Sequence, residues 1–267
     1  MTATRRLPRI AAITFDFGNT LVPVGRENLG RVVEAMATVV IERSGPFDRE
    51  TFLAIWEDER ERQFAEEVPL GREVDLEQRM TRVLARLRGM TPPPGTERWD
   101  DTTAATYSEP VEWADAVDAY SDAFVAVMPV PVDVGGLLTR LASERPLGIL
   151  SNWPHAPTID RYLEAAGWMR HFRAVVVSQR VGSIKPLGAI FRAAEDALGV
   201  PGDEILHVGD DWAADVVGAK RAGWLAAYLR DSQGDTPLPT SDRDGAARAD
   251  IELDRLTDLP AALRPAR

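Results

Sequence analysis

The side chains able to do covalent chemistry gather in a few short stretches. "ITFDFGNTLV" (13–22) ends an apolar run in Asp16 and carries Thr20 four residues on. "LGILSN" closes with Ser151 and Asn152, "GSIKPL" holds Lys185, and "VGDDWAAD" offers Asp210, Asp211 and Asp215. A carboxylate nucleophile, a hydroxyl, a lysine and an acidic pair at one place would suit magnesium-assisted phosphoryl transfer. Mg²⁺ is a hard cation that takes a few carboxylate or carbonyl oxygens and keeps water and substrate phosphate as its other ligands. A lysine and backbone N–H groups near Ser151 would stabilise charge on the phosphoryl oxygens.

These stretches must be delivered to one rim by the elements that carry them. Residues 10–15 (IAAITF) predict a buried strand, short, apolar and ended by a glycine-bearing turn. "LGILSN", "AVVVS", "EILHVGD" and "WLAAYL" are further apolar strand candidates, separated by helical stretches over 136–144, 157–166, 187–198 and 213–222. Strands alternating with helices predict right-handed βαβ units and a parallel sheet, whose ligands sit at the carboxyl ends of the strands. "ADIELDRLTDLPAAL" closes the pattern with a short strand and a terminal helix. Between about Asn28 and Phe124 the texture changes to charged, helix-period sequence: "LGRVVEAMATVVIERSG", "DRETFLAIWEDERERQFAEE", "DLEQRMTRVLARLRG" and, with Pro110 at a first-turn position, "YSEPVEWADAVDAYSDAFVAV". "TPPPGT" (91–96) breaks that series, "MPVPVDVGG" (128–136) reads as a stiff connector, and 231–248 reads as a mobile polar loop. The expectation is a doubly wound α/β core over 1–25 and 129–267, with an inserted helical cap over 26–128.

Composition narrows the function classes. The 267 residues carry 42 acids against 31 bases, a net charge of −11, which disfavours a general nucleic-acid or anionic-membrane surface. The absence of cysteine excludes disulfides, thiolate zinc sites and cysteine nucleophiles. Three histidines, His155, His171 and His207, are too scattered for a histidine-rich metal centre. Arg5, Arg6 and Arg9 precede an apolar stretch too short for a signal peptide, and no run reaches membrane-spanning length, so a cytoplasmic protein is expected.

In four ordered motifs the chain resembles the haloacid dehalogenase-like hydrolase superfamily: "DFGNT" (16–20), "ILSN" (149–152), "SIKP" (183–186) and "VGDDWAAD" (208–215). The insert falls where subclass I members carry a helical cap. The resemblance implies an aspartyl-phosphate on Asp16, which would also bind Mg²⁺ with Asp210 and the Gly18 carbonyl. It implies that Thr20 and Ser151 orient the phosphoryl group, with Asn152 beside them on the substrate side, and that Lys185 bridges it to the nucleophile. Asp215 would support Lys185 or a metal-bound water, and Asp211 would be an outer-sphere acid. A small phosphorylated metabolite is the implied substrate, on a monomer or homodimer.

Two positions depart from the family pattern. Gly18 stands where a second aspartate usually serves as general acid, and Leu187 where an acidic residue often follows the lysine–proline pair. Losing a general acid costs about 10²–10⁴-fold when the leaving group is poor. It costs little for an acyl phosphate, and glycine here also resembles a branch that includes sugar-1-phosphate phosphatases. The name-giving dehalogenases lack the second aspartate too, but they are metal-free and typically lose the first acid of the last motif, whereas Asp210 and Asp215 are both present. No arginine of the insert can be matched to a halide-binding role by spacing. A carbon–halogen hydrolase and a non-catalytic binding protein therefore stand as alternatives to a phosphatase.

Other residues carry blander expectations. Trp153 and His155 read as loop surface, with His155 a candidate proton donor, and His207 as a satisfied core histidine. Trp56, Trp99, Trp113 and Tyr107 read as bundle core, and the acidic runs "EDERER" and "AEE" as solvated helix faces.

Overall fold

A computed structural model describes residues 9–93, 99–230 and 234–264. Arg5 and Arg6, part of the break at 91–96 and the first residues of the 231–248 segment lie outside them. The chain runs β1 (Ala12–Phe15), α1 (Arg26–Ser44), α2 (Arg49–Glu66), α3 (Leu76–Leu87), α4 (Asp101–Ala105), α5 (Pro110–Val127) and α6 (Val132–Ala142). It continues through β2 (Leu147–Ser151), α7 (Ala156–Ala165), β3 (Phe172–Val177), α8 (Ser178–Val181), α9 (Gly188–Leu198) and β4 (Ile205–Gly209). A π-helical stretch (Trp212–Val217), α10 (Gly218–Arg221), β5 (Leu225–Leu229), β6 (Ile251–Leu253) and α11 (Leu259–Ala262) complete it.

The strands form one six-stranded parallel sheet in the order β3-β2-β1-β4-β5-β6. β1 is central and fully buried, as its unbroken apolar character requires. Phe15 aligns with Ile149 of β2 on one side and Val208 of β4 on the other. The chain winds first to one side of β1 and then to the other, so the crevice at its carboxyl end is a topological switch point. Asp16, Ser151 and Asp210 are the residues that end or follow those three strands.

The insert between β1 and α6 is helical, and its ends follow local capping chemistry. Asp48 caps α2 by accepting from Thr51 N (2.8 Å), and Asp75 caps α3 by accepting from Glu77 N and Gln78 N. Glu109 and Glu112 form a capping box around Pro110 at the start of α5. The insert shares a core with the sheet layer: Phe17, just past β1, sits 5.4 Å from the Tyr162 ring of α7 and 5.5 Å from Trp153. Phe124 of α5 joins the same cluster, 5.3 Å from Trp153.

Four details depart from the sequence reading. α6 starts within the expected connector, directly after Pro131, whose fixed φ suits a helix N-cap, so the helix runs 132–142 rather than 136–144. The described part of 231–248 has no regular structure, yet it is tied down: Thr236 receives a hydrogen bond from Asn19 (3.1 Å), and Arg26 pairs with Asp235 (2.9 Å). Within "EDERER", Glu59 is not solvated but buried, pairing with Arg82 (2.8 Å), Arg62 (2.8 Å) and Arg86 (3.0 Å). Tyr107 is exposed rather than core, while Trp56 and Trp99 are buried and Trp113 packs partly buried against the core. Among the described residues no single helix is long and apolar enough to cross a membrane.

Candidate active site

Asp16 leaves β1 into a turn whose sequence explains its shape. Asn19 adopts φ 56°, a left-handed conformation that asparagine tolerates better than most residues, and its Oδ1 accepts from Val24 N (3.1 Å). Asp16 is thereby held at the mouth of a cavity of about 370 Å³ between the strand ends and the insert.

Lys185 organises the rim. Its Nζ donates to Asp16 Oδ1 (2.7 Å), Asp215 Oδ1 (2.7 Å) and the Leu150 carbonyl (2.9 Å). Burial disfavours the ammonium, but the two carboxylates outweigh it and raise its pKa, so it stays charged. The lysine backbone is clamped by Asn152, whose Oδ1 accepts from Lys185 N (2.7 Å) and whose Nδ2 donates to Lys185 O (3.0 Å). Asn152 lines the cavity, yet its amide is spent on holding the lysine loop.

Asp215 is the counter-anchor. Its Oδ1 also meets His207 Nε2 (2.9 Å), and its Oδ2 accepts from Asp211 N (2.9 Å). Burial alone would raise its pKa; Lys185 and the His207 hydrogen bond more than reverse this, so it remains ionised. Gly209 makes the approach possible, since a Cβ there would lie 2.2 Å from Asp215 Cγ. His207 is the satisfied core histidine expected, with Nδ1 bonded to Thr14 Oγ1 (2.9 Å) across the β1–β4 register, and it positions Asp215 as well.

Asp210 differs from Asp215. Burial, reinforced by the charges of Asp16 and Asp215, pushes its carboxyl up to about 8, and its hydrogen bond comes from the neutral Thr20 hydroxyl (2.8 Å). Burial raises Asp16 too. Oxygens of Asp16, Asp210 and Asp215 lie within 4.8 Å of one another, a group able to hold a metal ion. Asp211 lines the cavity while capping the π-helical stretch through Ala214 N (2.7 Å) and accepting from Ser241 (3.0 Å). Thr20 and Ser151 stand behind the cavity wall. Ser151 Oγ is buried without a hydrogen bond of normal length, close enough to Asp16 to favour its ionised form weakly.

The remaining predicted residues fall into place differently. Gly18 lines the cavity, and no hydrogen bond reaches its carbonyl among the described residues. A side chain at 18 would have to push aside the partly exposed tip of Leu238, whose Cδ1 lies 2.6 Å from where a Cβ would be, and would crowd Trp153 Cζ3 at 3.3 Å. Trp153 is thus buried cavity wall, not loop surface. His155 is also buried, but away from the cavity, bonded to Thr158 Oγ1 (2.9 Å) and Ser121 Oγ (3.2 Å). Burial lowers its pKa to about 4, so it is a neutral structural group, not a proton donor to this site. Leu187 lies against Gly71 of the insert. The insert also contributes Arg60, Phe64, Arg79 and Tyr120 to the wall, none of them singled out by the sequence. On a helical sequence a wall residue and a core residue have the same spacing.

A parallel sheet with a helical insert after its first strand and an acidic rim at its switch point places the chain among doubly wound, Rossmann-like α/β proteins. The chain belongs to the haloacid dehalogenase-like hydrolases, whose family model matches residues 10–223. It is similar to the 5-amino-6-(5-phospho-D-ribitylamino)uracil phosphatase of Escherichia coli, 32% identical over 50% of this chain and 52% of that one. The glyceraldehyde 3-phosphate phosphatase of Methanopyrus kandleri is 31% identical over 58% of this chain and 66% of that one. The chain therefore spans between half and two thirds of the length of these relatives. Among solved structures, a 2-haloacid dehalogenase from Pseudomonas syringae pv. Tomato superposes with TM-score 0.66 at 22% identity, covering 95% of this chain and 98% of that one. A phosphatase from Thermococcus onnurineus does so with TM-score 0.57 at 20% identity, covering 97% and 100%. The two enzymes share this fold, which does not choose between their activities.

Proposed function

We propose that the protein is a magnesium-dependent phosphatase of a small phosphorylated metabolite, acting through an aspartyl-phosphate on Asp16. The carrying observation is an imbalance of charge: Asp16, Asp210 and Asp215 crowd within 4.8 Å of one another around one lysine, and Asp210 is pushed up to about 8. A divalent cation fits that deficit, and an all-oxygen donor set suits a hard one. Asp16, Asp210 and the free Gly18 carbonyl would hold it. Asp215, with Lys185, His207 and Asp211 N already on its oxygens, contributes mainly by anchoring the lysine. When bound, Mg²⁺ supplies neutralisation of charge on the phosphoryl oxygens.

The chain's own residues supply the rest. Lys185 fixes Asp16 Oδ1, which leaves Oδ2 as the oxygen for attack. A new Asp16 O–P bond forms as the P–O bond to the leaving group breaks and the leaving group departs with its electron pair. Lys185 lines the cavity and favours the charge on the phosphoryl group, while the Ser151 hydroxyl acts from behind, beside Asp16. Water then cleaves the acyl phosphate, releasing phosphate and restoring Asp16. Position 18 is a glycine and supplies no acid, so in this reading the substrate's leaving group is acidic enough to depart without one from that position. In this reading residues 26–128 act as a cap on the core formed by 1–25 and 129–267.

Phosphate release across esters of increasing leaving-group pKa, with Mg²⁺ or with EDTA, tests the proposal. Turnover that needs Mg²⁺, vanishes in Asp16→Asn and falls steeply as the leaving group becomes more basic is expected. Chloride release from 2-chloropropanoate in EDTA would replace the phosphatase with a dehalogenase, and no release of either product would leave a binding protein.

A further inference from the structure

Helix α3 buries two arginines one turn apart, and they are treated differently. Arg82 donates to Glu59 of α2 (2.8 Å) and to the Trp99 carbonyl, so its charge is matched by a buried carboxylate. Arg79 faces the residue one turn further along α2, which is Gln63. Its only side-chain hydrogen bond among the described residues runs from Nε to Gln63 Oε1 (2.7 Å). Gln63 is itself oriented by donating to the Asp75 carbonyl (2.9 Å). No carboxylate of the described residues lies within salt-bridge distance of Arg79. Those whose field reaches it are engaged elsewhere, Glu57 with Arg60 (2.7 Å) and Glu73 with Ser178.

An unpaired buried guanidinium costs several kcal/mol in desolvation, which a fold tolerates only where something else recovers it. Arg79 is 5% exposed, and that remnant belongs to the cavity wall. The guanidinium sits over the Trp56 ring, 4.8 Å from its centroid. Tyr120 lies beside it on the same wall, its hydroxyl without a hydrogen-bond partner among the described residues. Burial lowers Arg79 to about 10 and raises Tyr120 to about 12, so at neutral pH both are donors. Arg60, the other cationic wall residue, is occupied by Glu57 and by the Pro237 carbonyl (3.0 Å).

We propose that Arg79, with the Tyr120 hydroxyl, is a specificity determinant that receives a second anionic group, a carboxylate or a phosphate, at the far end of the phosphorylated substrate. The proposal takes the reacting end from the phosphatase reading above. It narrows the substrate class to small metabolites with an anionic group at each end, and it assigns Gln63 the role of holding the guanidinium without neutralising it. Apolar residues of the same cavity, Phe64, Val74 and Trp153 among them, suit a short carbon chain.

Binding of alkylphosphonates of matched length to the full chain carrying Asp16→Asn, with Mg²⁺, measured calorimetrically, tests this without turnover. The free ends would be methyl, carboxylate, phosphonate or ammonium. Carboxylate- or phosphonate-ended probes are expected to bind at least tenfold more tightly than methyl-ended ones, the better of the two identifying the anion, with ammonium-ended probes weakest. Arg79→Gln should erase the preference. Gln63→Glu, which reproduces the pairing seen at Arg82 and threatens folding least, should erase it too. Equal affinity for all ends, a preference surviving both substitutions, or no binding of any probe would overturn the proposal. Absence of phosphate release from any ester by the wild-type protein, with the anion preference intact, would instead refute the phosphatase reading and leave the anion site standing.

Discussion

The cavity has two walls built on opposite electrostatic plans. On the strand-end side the charges are tied into one network: Lys185 serves two carboxylates and a carbonyl, and Asp215 is bonded by Lys185, His207 and a backbone amide, while Asp210 meets only a hydroxyl. On the insert side the surface is mostly apolar, and Arg79 rests on a neutral amide and a ring. The first wall is rigid because loss of any member strands a buried charge. The second is chemically open, since no carboxylate of the described residues completes it. A hydrolase needs both, because the reacting groups must be preorganised while the recognising groups must wait for the substrate.

Substitutions on the first wall should do the larger damage. Asp16→Asn is expected to lower phosphate release by about 10⁴-fold or more, since the nucleophile itself is lost. Retention of more than a tenth of the activity would show that Asp16 is not the nucleophile. Lys185→Met should destabilise the fold by about 3–5 kcal/mol in urea unfolding, because Asp16 and Asp215 would face each other without their cation. Arg79→Met should change it by no more than about 1 kcal/mol, relief from an unpaired charge offsetting the loss of Gln63's partner. Equal effects would dissolve the contrast between the walls.

Gly18→Asp probes where the walls meet. Its Cβ would press on Leu238 at 2.6 Å, so the single variant should lose about 1–3 kcal/mol and gain no activity on alkyl phosphates. With Leu238→Ala to make room, an acid at position 18 should raise that activity by about 10–100-fold.

The smallest effect is the pH dependence of the metal-free protein above pH 7.5, where its histidines are essentially neutral both folded and unfolded. Asp210 holds its proton up to about 8 in the fold but only to its ordinary value near 4 in the unfolded chain. The folded state therefore binds more protons in this range, and stability falls as pH rises from 7.5 to 9, by about 0.5–1 kcal/mol. Thermal melts in EDTA should show the decline and melts in Mg²⁺ should not, because a cation stabilises the ionised carboxylate. A decline that persists in Mg²⁺ would argue against a metal ligand at Asp210.

Much of the first wall was legible in the sequence. Asp16, Ser151 and Asp210 follow apolar strand runs, and parallel βαβ winding sends such positions to one rim. Even there the reading missed partnerships: Asn152 is spent on the Lys185 backbone, and His207 on Asp215. The second wall was not legible. Arg60 and Arg79 lie in charged helices where solvated arginines are the rule, and Tyr120 has the spacing of a core aromatic. The segment after Arg230 looked mobile from its glycine, proline and aspartate content. Composition, however, does not reveal that Leu238 would find a glycine to rest on.

By itself the sequence determined the doubly wound sheet, the helical insert after the first strand and the acidic rim. These follow from hydrophobic periodicity, local capping and the handedness of βαβ connections, all properties of neighbouring residues. Only the tertiary structure decided that the general-acid position is covered by Leu238, that His155 is neutral and turned away, and that Arg79 is buried without a carboxylate. Each depends on which distant side chains share a space, as when Asn19 meets Thr236 across 217 residues or Arg82, but not Arg79, finds Glu59. Burial and pairing are set by three-dimensional packing, and the charge a group carries is set by them in turn.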